Sequence, residues 1–165
     1  MAFMTQVGDT AGVIAPPPLL LAATIVLGLL LDWMVPAYIL ATLLSWPTRI
    51  VIAVILIVPA GFLQFAAMRG FRAAGTRVEP WKPSTALVTG GIFAWLRNPM
   101  YVSGAMLLVG LSVLFASDWM LVLTVVFAAV LHYGVVLREE RYLEAKFGDD
   151  YRRYKASAPR YGIPV

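Results

Sequence analysis

Four long apolar stretches, separated by short polar segments, dominate the pattern of the chain. An α-helix needs about 20 residues to cross the hydrocarbon layer of a bilayer, and each stretch reaches or approaches that length. The pattern therefore predicts an all-α integral membrane fold, a helical bundle of about four transmembrane helices in a single domain over residues 1–165. The predicted spans are Pro18–Pro36, Arg49–Met68, Pro99–Phe115 and Trp119–Leu137.

The segment "PAYILATLLSW" between the first two spans is apolar but too short to cross a bilayer alone. Three interpretations stay open: a short interfacial helix, a re-entrant segment or a kinked extension of the first span. Each keeps the number of spans even.

Asp32, in the last turns of the first span, has two interpretations. It is either a side chain that reaches the outer interface or a buried intramembrane partner.

The remaining segments divide the domain further. Residues 1–15 predict a short, weakly ordered tail without the basic start and cleavage site of a secretory signal, so we expect the first span to be retained. Residues 16–69 form the N-terminal helices. Residues 70–98 contain many Gly, Pro and Thr residues and the turn signal Gly90-Gly91, which predict an ordered cytoplasmic connection. The last helices and a C-terminal tail occupy residues 99–165.

Composition supports the membrane assignment and excludes several chemistries. Of the 165 residues, 61% are hydrophobic and 13% are charged, which a water-soluble core of this size does not require. The chain has no Cys and a single His. Disulfides, thiolate nucleophiles and sulfur-ligated metals are therefore excluded, and we expect no metal site because His132 alone cannot form a histidine cluster.

The basic residues are distributed unevenly between the two ends of the predicted spans. The net charge is +4, and every Lys and Arg except Arg49 follows the second or the fourth span. Cytoplasmic loops of membrane proteins carry such an excess, so we place the 70–98 connection and both termini in the cytoplasm. Membrane orientation thus accounts for the basicity without nucleic acid. Four Trp residues lie near predicted span ends, as interfacial residues do: Trp33, Trp46, Trp95 and Trp119.

Polar residues stand directly before the third span, in "RNPMYVSG". Asn98 is predicted to cap the helix by accepting a bond from its free N–H groups, with Pro99 at the first helical position. The free N–H groups, the positive end of the helix dipole and Arg97 together suit an anionic ligand group. The alternative is plain capping without a ligand.

The fourth span carries His132 within its apolar run and Glu139-Glu140 at its end. Seven residues are about two helical turns, so His132 and Glu139 are predicted to share one face and to line a pocket. In the alternative interpretation, the glutamates pair with Arg138 and Arg141 on a solvated helix end, and His132 bonds to a neighbouring helix.

An apolar stripe follows on the charged C-terminal tail, at Leu143, Phe147, Tyr151 and Tyr154. Gly148 is predicted to end one helix, and Asp149 or Asp150 to begin the next. This amphipathic helical tail is expected to fold back over the cytoplasmic face of the bundle. It then serves either as a lid for a cofactor or as a membrane-surface anchor whose basic residues bind anionic lipid headgroups.

These motifs, taken in order, resemble a known family over residues 75–164. "TGGIFAWLRNPMYVSG", followed by "HYGVVLREERYLEAKFGDDYRRYKASAPRYGIP", is similar to the integral membrane methyltransferases that include isoprenylcysteine carboxyl methyltransferases and phospholipid N-methyltransferases. The enzymes that act on prenylated proteins usually have His at the position of Asn98. The Asn form resembles bacterial relatives, which implies the inner membrane of a bacterium. A Gly-x-Gly sequence frequent in the phospholipid enzymes is absent from the third span.

The resemblance implies S-adenosylmethionine as cofactor and a lipophilic or prenylated acceptor, such as a prenylcysteine-like carboxylate, next to membrane lipids. Methyl transfer from a sulfonium is an in-line displacement on an activated carbon, so positioning and exclusion of water can supply most of the catalysis. His132 would orient the reactants, with a base role only for an amine or hydroxyl acceptor. Arg160 or Arg138 would hold an acceptor carboxylate. The implied catalytic residues are Arg97, Glu139 and Arg160, and the implied cofactor-binding residues are Arg97, Asn98, Pro99, Tyr101, His132, Glu139 and Glu140.

Two other classes of function remain open. Membrane sterol reductases, which use NADPH, share a similar Arg-x-Pro-x-Tyr helix start, but their C-terminal sequences contain Cys, and this chain has none. The third class is a non-catalytic membrane scaffold, in which the same polar residues would be structural.

Overall fold

The computed structural model describes residues 10–162. Within this range the chain forms helices and no strand, which confirms the predicted all-α class. A 3-10 helix lies at Gly91–Ala94, and a π-helical turn at His132–Val136 joins two α-helices without a break. The α-helices are α1 (Pro17–Met34), α2 (Ile39–Leu43), α3 (Trp46–Ala73), α4 (Pro99–Phe115), α5 (Asp118–Leu131), α6 (Leu137–Phe147) and α7 (Asp149–Ser157).

Three helical segments are long and apolar enough to cross a membrane. They are Pro17–Met34, Trp46–Ala73 and the continuous Asp118–Phe147, while Pro99–Phe115 is apolar but has 17 residues. Many large apolar side chains on α1 and α3 are exposed, as expected of surfaces that face lipid. The chain is an integral membrane protein, and its last long helix continues ten residues beyond the predicted end of the apolar run, into the charged segment.

Local sequence signals begin most of these helices. Pro occupies the first turn of α1, α3 and α4, where its missing N–H removes no helical bond. The Ser45 side chain accepts a bond from the Thr48 N–H at the start of α3, and Ser117 accepts one from Met120 at the start of α5. Between α1 and α3, the apolar segment that starts at Pro36 contains the five-residue α2.

Small residues allow close contacts between the long helices. The helix α3 packs on α4, and α5 packs on both α1 and α4. A Cβ atom added at Gly28 would lie 2.6 Å from the Met120 Cβ, so α1 and α5 approach closely only because this residue is Gly. The Ser103 hydroxyl of α4 donates to the Ala60 carbonyl of α3 at 2.8 Å.

Two aspartates organise the end of the bundle where α4 meets α5. Asp118 accepts from the N–H groups of Ile39 and Leu40 at 2.8 and 2.9 Å, which holds α2 in place. Asp32 accepts from the Ser117 hydroxyl and from the Trp119 N–H. Asp32 therefore has hydrogen-bond partners within the protein and is not only a side chain that reaches the membrane interface.

Residues 10–15 differ from the expected weakly ordered tail because they are bonded to the last long helix. The Ile14 N–H donates to the Gly134 carbonyl at 3.2 Å, within the π-helical turn, and the Arg138 guanidinium donates to the Gly12 carbonyl at 2.9 Å. The rest of that predicted tail, residues 1–9, and Pro164 of the C-terminal motif lie outside the described residues.

The C-terminal helices fold back on the bundle, as the apolar stripe predicts. Gly148, with φ of +54°, separates α6 from α7. Tyr151 and Tyr154 are buried in a cluster with Ala67 and Phe93, and Leu143 and Phe147 pack against its edge. The stripe thus places α6 and α7 next to the start of α4.

Candidate functional site

A buried cluster of charges lies where the start of α4 meets the start of α6 and the C-terminal segment. Arg97 Nη1 lies 3.0 Å from Glu140 Oε1, and the side chains of both residues are 8% exposed. Arg160 donates from Nε and Nη2 to the two Glu140 oxygens, each at 2.8 Å. Because buried charges are costly unless paired, one carboxylate shared by two guanidinium groups makes a stable anchor for three chain segments.

The cluster holds one donor that no described residue satisfies. The Nε of Arg97 is buried and has no hydrogen-bond partner within residues 10–162. An unsatisfied buried N–H lowers stability unless a ligand bonds to it. Arg97 therefore retains a free donor for an anionic or carbonyl oxygen, even though its Nη1 is paired with Glu140.

The adjacent Glu139 has a different environment from Glu140. The Tyr101 hydroxyl donates to Glu139 Oε2 at 2.8 Å. Among the described residues, ion pairs reach Glu140 from Arg97 and Arg160, and none reaches Glu139. The alternative interpretation, in which the glutamates pair with Arg138 and Arg141, does not match the structure: these arginines donate to the backbone carbonyls of Gly12 and Leu137.

The prediction that the Asn98 side chain caps α4 is wrong. It occupies the N-cap position of α4, but its side chain makes no capping bond; its Nδ2 instead donates to the Arg160 carbonyl at 3.2 Å. The Arg97 N–H donates to the Pro159 carbonyl at 2.9 Å. Together these bonds dock residues 158–162, the C-terminal strap, on the start of α4.

His132 fixes the strap from the other side. Its Nδ1 lies 2.8 Å from the Tyr161 hydroxyl. The π-helical turn that begins at His132 changes the rotation per residue between His132 and Glu139, so the spacing of seven no longer implies a shared face. His132 bonds to the strap, whereas Glu139 bonds to Tyr101.

Two tyrosines of α7 complete the buried cluster. Arg97 Nη1 donates to the Tyr151 hydroxyl at 3.4 Å, and the Tyr154 hydroxyl donates to the Phe93 carbonyl at 2.8 Å. Burial raises the pKa of Tyr151 to about 12 and also raises the pKa of Tyr154. Both phenols are therefore neutral at physiological pH and act as hydrogen-bonding and aromatic groups.

A small cavity of about 60 Å³ lies inside this cluster. Charged and apolar side chains both line it, and we call it the polar cavity because of the charged ones. It brings together Arg97, Asn98, Glu139 and Glu140, four of the residues predicted from the sequence. Its other walls include residues that the sequence did not single out as binding residues: Arg77, Glu79, Ser84, Leu87, Tyr151 and Tyr154.

A second, larger cavity of about 470 Å³ lies between α1, α3, α4 and α5. Its lining is mostly apolar, and its only charged residue within the described part of the chain is Glu79. Tyr101 lines this cavity rather than the polar one. The two cavities share a wall formed by Val78, Glu79 and Pro80 of the connection.

The remaining predicted residues lie around these cavities rather than in their walls. Pro99 is fully buried at the start of α4. His132 and Arg160 line neither cavity but hold the strap. Within residues 10–162, no group of three or more His, Cys, Asp and Glu side chains is placed to hold a metal ion.

Comparisons with known proteins assign the chain to a family. The sequence model of the phospholipid methyltransferase family matches residues 48–150. The chain is 36% identical over 62 residues to a Haemophilus influenzae protein described as uncharacterized, covering 38% of this chain and 98% of that protein. It is 38% identical over 82 residues to the protein-S-isoprenylcysteine O-methyltransferase of Schizosaccharomyces pombe, covering 48% of this chain and 33% of that enzyme. No solved structure matches. Because the family match covers well over half of the chain, this protein belongs to the phospholipid methyltransferase family and is a membrane methyltransferase.

Proposed function

We propose that this protein transfers a methyl group from S-adenosylmethionine to a lipophilic acceptor at the cytoplasmic face of a bacterial inner membrane. The observation that carries the proposal is the contact between a polar cavity and a larger apolar cavity along the Val78–Pro80 wall. A reaction between a water-soluble donor and a lipid-soluble acceptor needs two adjoining compartments of this kind. The basic residues near both sides of the polar cavity support its cytoplasmic location.

The residues around the polar cavity fit the chemical groups of the cofactor. The free Nε of Arg97 suits the cofactor carboxylate, because a guanidinium bonds strongly to that group. Glu139, which has no cationic partner among the described residues, suits the ribose hydroxyls. The neutral rings of Tyr151 and Tyr154 supply aromatic surface.

The cofactor needs more room than the polar cavity offers. The cavity volume of about 60 Å³ is several-fold smaller than the roughly 300–1,000 Å³ typical of pockets that hold small molecules. The strap covers the cluster through the contacts of Arg160, Pro159 and Tyr161 with the body of the protein. We infer that the strap opens to admit the cofactor and closes over it, which excludes water from the reaction.

S-adenosylmethionine supplies an electrophilic methyl carbon on a sulfonium, so the protein needs no nucleophile of its own. Arg97 and Glu139 orient the donor from the polar side. The apolar cavity holds the lipid portion of the acceptor and presents its reacting group at the shared wall. Arg160 acts by closing the strap on Glu140, and His132 acts by holding Tyr161.

Calorimetric titration with S-adenosylhomocysteine in detergent tests this function. We expect the wild-type protein to bind, and Glu139→Gln to bind about 10-fold or more weakly, the worth of one hydrogen bond to a charged group. Glu144→Gln is the matched control, because Glu144 pairs with the exposed Arg152 away from both cavities. Absence of binding by the wild-type protein at millimolar ligand rejects the proposed function. Equal affinities of the two variants reject the role of Glu139.

A further inference from the structure

Tyr101 and Glu139 form a hydrogen bond that connects the two cavities. Tyr101 lines the apolar cavity, and Glu139 lines the polar one. Their oxygens lie 2.8 Å apart, with the phenol as donor. The pair therefore joins the compartment of the lipophilic acceptor to the compartment of the cofactor.

The charges around this pair leave Glu139 able to take up a proton. Arg97 and Arg160, the nearest cationic groups of the cluster, are both paired with Glu140. Of the other titratable groups, Glu140 and Tyr151 lie near Glu139, and Tyr161 lies near Tyr101. A carboxylate with a phenol donor and no cation at hand is suited to accept a proton through that phenol.

The apolar cavity lacks a group that would hold an anionic acceptor. Glu79 is its only charged lining residue in the described chain, and Lys82 pairs with Glu79 at 2.6 Å. The polar side chains in its walls are neutral: Gln64, Ser103 and Tyr101, together with the indole of Trp81. The Ser103 hydroxyl already donates to Ala60. Such a lining suits a neutral amine or hydroxyl better than a carboxylate.

We propose that Tyr101 and Glu139 accept the proton that a neutral amine or hydroxyl acceptor loses when it is methylated. This inference rests on the proposed function. A bond forms between the acceptor atom and the methyl carbon, while the carbon–sulfur bond breaks and its electron pair stays on sulfur. The proton of the acceptor passes to the Tyr101 oxygen as the Tyr101 proton passes to Glu139. Tyr101 contacts the reacting group, and Glu139 receives the proton through Tyr101.

The test uses a methyl-labelled donor, a total bacterial lipid extract and the full-length protein. We expect Tyr101→Phe to lower the maximal rate about 100-fold, as for loss of a general base. Its affinity for S-adenosylhomocysteine should fall by less than about 10-fold, as for loss of one neutral hydrogen bond. Tyr133→Phe is the matched control, because Tyr133 is 69% exposed and lines neither cavity.

Two further readouts distinguish proton transfer from a structural role. The wild-type rate should fall on acidification as Glu139 becomes protonated, and the profile of Tyr101→Phe should lose this dependence. The label in the wild-type product should be stable in mild alkali, as in methylated amines and ethers, whereas a methyl ester releases methanol.

The outcomes separate this inference from the proposed function. Alkali-labile label, or a wild-type maximal rate in Tyr101→Phe, overturns the proton-transfer inference and leaves the methyltransferase proposal intact. A rate loss in Tyr101→Phe with an unchanged pH profile also overturns it. Failure of the wild-type protein to bind S-adenosylhomocysteine overturns both.

Discussion

Carboxylates organise both ends of the helix bundle, but they are satisfied in different ways. At the end where α4 meets α5, Asp118 accepts from two backbone N–H groups, and Asp32 accepts from a hydroxyl and an N–H. At the other end, Glu140 is held by two guanidinium groups beside a donor that has no partner among the described residues. The first arrangement closes a turn. The second combines paired charge, a cavity and an open donor, which is the arrangement that a ligand can use.

Removal of the shared carboxylate should have the largest effect on stability. In Glu140→Gln, Arg97 and Arg160 lose their common anion, and loss of one partner of a buried ion pair costs about 3 kcal/mol or more. Thermal unfolding in detergent measures this loss. Glu144→Gln is the control, because Glu144 is partly exposed and pairs with Arg152 and Lys155 outside the buried cluster. Equal melting temperatures of the two variants contradict the structural importance of the buried cluster.

A substitution at the end where α4 meets α5 should lower stability without weakening ligand binding. Asp118→Ala leaves the N–H groups of Ile39 and Leu40 without their acceptor, at a cost of about 1–3 kcal/mol. Hydrogen exchange should increase in α2, while the folded variant binds S-adenosylhomocysteine as tightly as the wild type. Weaker binding by a well-folded Asp118→Ala protein would remove the functional distinction between the two ends.

Loss of a single hydroxyl group should make the C-terminal strap open more often. Tyr161→Phe removes the hydroxyl that lies 2.8 Å from His132 Nδ1, worth about 1 kcal/mol as a net hydrogen bond. We expect faster hydrogen exchange in residues 158–162 and a several-fold faster association of S-adenosylhomocysteine, since the strap opens more often. Tyr133→Phe serves as control; association that is slower than in the wild type argues against an opening strap.

The smallest effect at neutral pH concerns the buried phenols. Because burial raises the pKa of Tyr151 to about 12 from the usual 10.0, the folded protein favours the neutral phenol. This stabilisation is complete below pH 10 and is lost as the pH rises toward 12. Chemical unfolding between pH 9 and pH 12 should show a decline that is shallower in Tyr151→Phe. An identical pH dependence in the variant shows that Tyr151 does not contribute to it.

Some features of the site followed from local sequence alone. The break at Gly148 and the apolar stripe that includes Tyr151 and Tyr154 both depend on nearby residues, and the structure confirms them. Asn98 shows where local reasoning fails. Its sequence context is that of a helix cap, but its amide bonds to the Arg160 carbonyl, which is distant in sequence.

The wall between the cavities had no comparable sequence signal. Val78, Glu79 and Pro80 lie in a connection without helical periodicity, so nothing in their order indicated which side chains would face a cavity. Asp118 was missed for a related reason, since its partners lie on α2, 78 and 79 residues away in the chain.

The sequence by itself determined the membrane class, the boundaries of the first three long helices to within about five residues and the set of polar groups near the predicted site. These properties depend on hydropathy and on contacts between near neighbours in the chain. Only the tertiary structure decided that Glu140 pairs with Arg97 and Arg160, and that Glu139 is left to Tyr101. The physical reason is that buried charges select partners by distance and desolvation across packed elements, which the order of residues does not encode locally.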